Sequence, residues 1–215
     1  MDGVIAHTNP YHTQAFQVFF ERHGVPYTLA EFEDHMYGKH NSYIMRYFFK
    51  RPILGEELLE LEGEKEGLFR EIYAGHVEAM PGFEDFIAAL RDAGFKIGVA
   101  TSAPRANLDL IVDSLGIRPF LASVLASEDV SAHKPNPEVY LKSMANLGVI
   151  AANSLVFEDS ASGVQAGISA GAKVVGVLSS HAADELPGCA YYIPDFQAMD
   201  VGLARQIVAG HSPSV

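Results

Sequence analysis

The apolar positions of this chain fall into two textures. From residue 9 to 79 they recur at helical spacing. Asn9-Pro10 opens a helix, since proline suits the first helical position, and Ala15, Phe16, Phe19 and Phe20 then share one face until Gly24 closes it. The same period predicts helices over 29–37, 42–49 and 55–74. The last is acidic early and carries Lys65 and Arg70 later, as the helix dipole favours. Almost no strand pattern interrupts this stretch. Pro81-Gly82 then punctuates the chain and the texture changes. Helices predicted over 83–93, 104–115, 136–147 and 163–170 alternate with strands over 96–100, 123–126, 154–157 and 173–178. Such alternation implies right-handed crossovers and a parallel sheet covered on both faces, an α/β doubly wound fold. Ligands gather at the carboxyl ends of strands in these sheets, and Thr101, Glu158 and Asp159 stand where a strand has just ended.

Composition narrows the function classes. A chain of 215 residues can bury a substantial core as one domain, or as one domain plus a smaller insertion. Its 48% apolar and 20% charged content is a globular balance. A net charge of −12 argues against binding nucleic acid, because a phosphate backbone would be repelled. A small phosphorylated metabolite stays open, since one cationic pocket and a metal override the global sign locally. Cys189 is the only cysteine, which excludes an internal disulfide and a cysteine-rich zinc site and fits a reducing cytoplasm. No apolar run approaches the length of a membrane span, and no basic stretch followed by an apolar one marks a signal peptide. The aromatic cluster Tyr43, Tyr47, Phe48 and Phe49 reads as core rather than interface, so a monomer is expected. No Gly-x-Gly-x-x-Gly turn follows a strand, which disfavours a nucleotide-binding dehydrogenase.

Four short segments place polar groups beside apolar runs: Met1-Asp2-Gly3-Val4-Ile5, Val99-Ala100-Thr101-Ser102, His133-Lys134-Pro135 and Val156-Phe157-Glu158-Asp159-Ser160. Each has an ordinary reading when taken alone. Asp2 reads as a solvated terminal carboxylate, Thr101-Ser102 as a helix cap and Lys134 as a solvated loop lysine. His12 reads as a structural histidine and Lys65 as a solvent-facing lysine on their helices. Together the four segments supply a hydroxyl, an ammonium and a carboxylate pair, the parts of a Mg²⁺-dependent phosphoryl-transfer site. Adjacent carboxylates such as Glu158 and Asp159 repel unless a cation joins them, and Mg²⁺ is a hard ion that takes oxygen ligands.

In combination these segments resemble the haloacid dehalogenase-like hydrolases, in the branch of β-phosphoglucomutase and the small sugar phosphatases. The most specific stretch is Glu158-Asp159-Ser160-x-x-Gly163-Val164-x-Ala166-Gly167-x-x-Ala170-Gly171, followed by Lys134-Pro135-x-Pro137. The resemblance covers essentially the whole chain. It implies a Rossmann-like core from residues 1–8 and 80–215, with a four-helix cap inserted at 9–79. It implies that Asp2 is the general acid/base and ligates Mg²⁺ through its backbone carbonyl. Thr101 would bind the transferring phosphoryl group with help from Ser102, and Lys134 would neutralise its charge. Asp159 would ligate the metal, with Glu158 a direct or water-bridged partner. His12 and Lys65 would contact substrate or orient the acid/base.

In that family the nucleophile is an Asp two residues ahead of the Asp of the Asp-Gly pair. Here that place precedes Met1, so the nucleophile and a first strand are expected just upstream. Without that strand the sheet would have two unpaired edges and a slot in its core. The implied activity is hydrolysis of small phosphate monoesters, sugar phosphates foremost, through an aspartyl-phosphate. Two alternatives remain at this point: a phosphomutase, and an inactive phosphometabolite-binding protein. Asn41 speaks against the mutase, which has an arginine there; a neutral amide forms no bidentate cationic clamp, although Lys39 or Arg46 could compensate.

Overall fold

A computed structural model describes residues 1–36 and 41–210, apart from the side chain of Glu33. The chain divides into two compact units. One joins Met1–His7 to Val77–Val215, and the other is Thr8–His76.

The second unit is helical throughout: α1 (Asn9–Arg22), α2 (Leu29–Met36), α3 (Asn41–Phe49) and α4 (Gly55–Tyr73). These are the four helices the spacing predicts, with ends shifted by a residue or two where helices fray. Helix α1 begins on Pro10 and buries the stripe of Ala15, Phe16, Phe19 and Phe20. Against it α4 buries Leu68, Phe69 and Tyr73. Phe20 meets Phe32 edge-on with ring centroids 6.3 Å apart, and lies 4.7 Å from Phe48. Each such phenylalanine contributes roughly 1.5–3 kcal/mol by leaving water, so this aromatic core, not helix propensity, holds the unit together.

The first unit alternates strand and helix. After α5 (Phe83–Asp92) come β1 (Ile97–Ala100), α6 (Arg105–Ser114), β2 (Leu121–Leu125), α7 (Glu138–Leu147), β3 (Leu155–Glu158), α8 (Ala161–Ser169), β4 (Lys173–Val177), β5 (Tyr191–Ile193) and α9 (Val201–Val208). Every strand pairing is parallel: β1 with β2, β3 with β4, and β4 with β5. The expected α/β class with parallel strands therefore holds. The sheet itself, however, is in two pieces, ordered β1-β2 and β3-β4-β5. Two elements, β5 and α9, were not anticipated from the sequence.

Small residues set the depth at which α8 lies on its sheet. A Cβ at Gly167 would stand 2.8 Å from Val174 Cγ2 and 3.4 Å from Val156 Cγ1. The helix thus packs at contact distance on β3 and β4, and Val164, Ala166, Val156 and Val174 are buried between them. That packing fixes where β3 ends, and Glu158 is its last residue.

Candidate active site

Three strand ends and one tight turn gather the polar groups of the first unit. The turn is the N-terminal segment: the Met1 carbonyl accepts from the Ile5 amide at 2.7 Å, and the Gly3 amide donates to the Ala6 carbonyl at 2.9 Å. Gly3 carries a φ of +62°, a left-handed conformation that a side chain would strain. Space demands glycine there too, because a Cβ would fall 2.1 Å from Asp159 Oδ2. The Asp2-Gly3 pair is thereby set against the end of β3. The Ser179 hydroxyl, just past β4, donates to the Gly3 carbonyl and pins the turn from the other side.

Thr101 directly follows β1. Its amide bonds the Leu125 carbonyl at 3.0 Å, and its hydroxyl accepts from the Ala103 amide at 3.1 Å. The side chain is buried, so it shapes the loop end as a local turn while lying at the carboxyl edge of the strand. Ser102 beside it is exposed.

Lys134 is far from a solvated loop lysine. Its Nζ donates to the Ala100 carbonyl at 3.1 Å and to Glu158 Oε1 at 2.5 Å, and it stands 4.8 Å from the centre of the Tyr140 ring. Its side chain is 8% exposed and that of Glu158 5%, so both charges have left water together. The ammonium bridges the ends of β1 and β3. Tyr140 on α7 donates its hydroxyl to the same Glu158 oxygen, and Ser160 donates to Oε2 at 3.2 Å. Burial alone would raise the Glu158 pKa. Lys134, the terminal ammonium and the two donors to Oε1 outweigh burial and hold it below the usual carboxylate value. Burial and the Glu158 carboxylate push the Tyr140 hydroxyl well above its ordinary value, so Tyr140 stays a donor.

Asp159 behaves in the opposite way. Burial, and then the charge of Glu158, raise its pKa to about 6; Asp2 adds to the rise, while a hydrogen bond from Ser180 and the terminal ammonium oppose it. Ser180 donates to Oδ2 at 2.5 Å, and the His181 ring bonds the Asp159 carbonyl at 2.9 Å. A carboxylate crowded by two others is stabilised by a hard cation. Among the described residues no group of three or more His, Cys, Asp and Glu side chains could hold a metal unaided. The available set is the Asp159 carboxylate, a backbone carbonyl of the Asp2-Gly3 turn and Glu158 behind them. That suits Mg²⁺, which binds through one or two carboxylates and keeps several waters.

The sequence did not single out Tyr140, Ser179, Ser180 or His181. The last three follow β4, so the rule of strand carboxyl ends could have flagged them. Tyr140 could not be recognised, because nothing in a helical pattern shows which buried hydroxyl meets a carboxylate.

The loop carrying Lys134 is anchored by Glu138. This carboxylate accepts from the Ser131 amide at 3.0 Å and the Ala132 amide at 2.8 Å, and pairs with Lys142 at 2.7 Å. The bond from Lys142, then those two amides, lower its pKa to about 2. A depressed carboxylate stabilises the fold above its unfolded value of 4.5 and loses that contribution as pH falls toward 2. Glu138→Gln is therefore expected to be less stable at neutral pH and to lose less of its stability between pH 4.5 and 2 than the parent. Denaturant midpoints across that window check this, and parallel curves for the two proteins would refute it.

His12 and Lys65 lie in the helical unit. Lys65 is buried, pairs with Glu66 at 2.7 Å and bonds His12 Nδ1 at 2.9 Å. The solvent-facing reading of Lys65 is thus wrong. It stays buried because Glu66 neutralises it and the Phe16 ring lies 4.5 Å away. Asn41 donates to Glu66 Oε1 at 2.7 Å. Arg46 is exposed and bonds the Ser42 carbonyl at 2.8 Å, one turn back on α3. Lys39 lies outside the described residues.

Comparison with known proteins gives consistent matches. The family model for haloacid dehalogenase-like hydrolases matches residues 1–177. Protein CbbY of Rhodobacter capsulatus is 28% identical over 208 residues, spanning 92% of each chain. The phosphorylated carbohydrates phosphatase of Thermotoga maritima is 29% identical over 187 residues, spanning 84% of this chain and 83% of its own. A HAD hydrolase, family IA, variant 3, from Entamoeba histolytica HM-1:IMSS superposes with a TM-score of 0.90 over 97% of this chain and 96% of that one. At 24% identity this last likeness speaks for the fold.

Proposed function

This chain belongs to the haloacid dehalogenase-like hydrolase family, and on that premise we propose that it is a Mg²⁺-assisted phosphatase of small phosphate monoesters, sugar phosphates foremost. One observation carries the reading: Lys134 bonds both the end of β1 and Glu158 at the end of β3, while Gly3 abuts Asp159. A cation, a hydroxyl-bearing strand end and an acidic cluster so arranged can receive a phosphoryl group and offset its charge. The names of relatives, the phosphorylated carbohydrates phosphatase among them, support the substrate class.

Each residue has a role in this reading. Asp2 protonates the leaving alkoxide and then takes a proton from the attacking water. Thr101 and the backbone amide of Ser102 bind the phosphoryl oxygens. Lys134 balances their charge, held in line by Glu158 and Tyr140. Asp159 and the backbone carbonyl of Asp2 would hold Mg²⁺, with Glu158, whose oxygens are engaged by Lys134, Tyr140 and Ser160, a direct or water-bridged partner. When bound, the metal neutralises charge on the transferring group. The attacking carboxylate belongs directly ahead of Met1, two residues before Asp2; it bonds to phosphorus as the alcohol leaves, and water then releases inorganic phosphate. His12 and Lys65 serve as substrate-binding residues of the helical unit. Asn41 is spent on Glu66 and offers no cationic grip for a second phosphate, which favours release to water over a mutase cycle.

The test is phosphate release from a panel of sugar phosphates by a chain extended ahead of Met1 with a strand ending in Asp. The expected result is turnover that needs Mg²⁺, stops with chelator and is absent when that Asp is Asn. Equal turnover by both forms would overturn the nucleophile assignment. Tight phosphate binding without turnover in the extended chain would favour a binding protein.

A further inference from the structure

Three consecutive side chains after β4 reach both places where the oxygen donors of a metal site stand. The Ser179 hydroxyl donates to the Gly3 carbonyl. The Ser180 hydroxyl donates to Asp159 Oδ2 at 2.5 Å, and the His181 ring bonds the Asp159 carbonyl at 2.9 Å. Gly3 and Asp159 come from separate segments, the N-terminal turn and the loop after β3, and these bonds tie both to one short run of chain. The fit is close: a Cβ at Gly3 would fall 2.7 Å from Asp159 Cγ and 2.9 Å from Ser179 Oγ. The run is itself held at both ends. Before it, the Leu178 amide bonds the Ile193 carbonyl of β5 at 2.8 Å. After it, the Ala182 amide bonds Glu185 Oε2 at 2.9 Å, and Leu186 is fully buried. A segment fixed in this way holds its partners in place instead of following them.

We propose that Ser180, steadied by Ser179 and His181 on either side, is a positioning residue that orients the Asp159 carboxylate and so sets the preference of the site for Mg²⁺ over Ca²⁺. The inference rests on the Mg²⁺ site of the proposed function and adds to it a residue that acts on the cation only through Asp159. The two cations differ in what they demand. Mg²⁺ needs near-octahedral oxygens at about 2.0–2.1 Å, whereas Ca²⁺ accepts a looser set at about 2.3–2.6 Å. A carboxylate free to turn therefore costs Mg²⁺ more than Ca²⁺. Hydrogen bonds that orient a metal ligand are worth about 10–100-fold in affinity. Ser180 is also exposed, so a purely structural role predicts almost no effect when its hydroxyl is removed.

The experiment titrates the full chain with Mg²⁺ and, separately, with Ca²⁺ by calorimetry, as the parent, Ser180→Ala and Ser180→Thr. Ser180→Ala is expected to weaken Mg²⁺ binding by about tenfold and Ca²⁺ binding by about threefold or less, with the metal-free thermal midpoint unchanged. Ser180→Thr keeps the hydroxyl and is expected to restore the parental ratio. Equal affinities in the parent and Ser180→Ala would overturn the proposal, and so would a loss of both cations in the same proportion. Tighter Mg²⁺ binding by Ser180→Ala would overturn it too, since Ser180 would then compete with the cation for Asp159. A parent that binds neither cation would overturn the Mg²⁺ site itself and this inference with it, which separates that failure from a failure of Ser180 alone.

Discussion

Lys134→Met, made in the extended and active chain, is expected to cut phosphate release by about 10²–10³-fold, the usual loss when one preorganised charge-stabilising donor is removed. It is also expected to destabilise the fold by roughly 3–5 kcal/mol, because it strands Glu158 as an unpaired buried carboxylate. The two effects have separate causes, and a second change separates them. Adding Glu158→Gln to Lys134→Met removes the stranded charge, so stability should recover by a kcal/mol or more while activity stays low. Denaturant midpoints and single-turnover rates on the four proteins of this cycle are the measurement. Additive stability losses would show that Lys134 and Glu158 do not act as a pair. Activity that returns together with stability would show that Lys134 serves the fold and not the phosphoryl group.

That pair also marks how far the sequence could be read. The alternation of strands and helices after Pro81-Gly82 was legible because each element is long enough to show its period, and the helical stretch before it was legible from one stripe of phenylalanines. Strand β5 escaped notice because three residues, Tyr191–Ile193, cannot display a period. Helix α9 is capped by Asp200, a good cap, yet its eight residues bury only Ala204 and Ile207, and the elements predicted from the sequence end at residue 178. The carboxyl-end rule located Thr101, Glu158 and Asp159, since it needs only strand boundaries. The bonding of Glu158 was not readable. Lys134, Tyr140 and Ser160 meet it from a loop, a helix and a helix cap, and no spacing along the chain encodes that convergence. The division of the sheet, with one unpartnered edge each on β1 and β3 among the described residues, matches the two unpaired edges that the resemblance implied, not any periodicity.

Gly163→Ala should act against the rule for its position. Gly163 lies in α8, where alanine normally stabilises a helix by about 1 kcal/mol over glycine. Here an added Cβ would fall 2.0 Å from Glu158 Oε2 and 2.1 Å from its Cδ. Glu158 cannot swing aside freely, because Lys134, Tyr140 and Ser160 hold both of its oxygens and its side chain is buried. Either the carboxylate leaves these donors or α8 lifts from β3, and both routes lose buried contacts. The expected outcome is a loss of roughly 2–3 kcal/mol, the range of overpacking combined with broken buried hydrogen bonds, with phosphate release falling by about 10²-fold as Lys134 loses its anchor. Gly63→Ala is the control. Gly63 is exposed in the middle of α4 and a Cβ there meets nothing within 4 Å, so it should gain about 0.5–1 kcal/mol by the ordinary rule. Thermal midpoints that rise for Gly63→Ala and fall for Gly163→Ala would establish that the strand-end carboxylate, and not helix propensity, dictates glycine at the start of α8. A rise in both would mean that Glu158 is free to move, and the rigid Lys134–Glu158 bridge on which the phosphoryl site is built would fail with it.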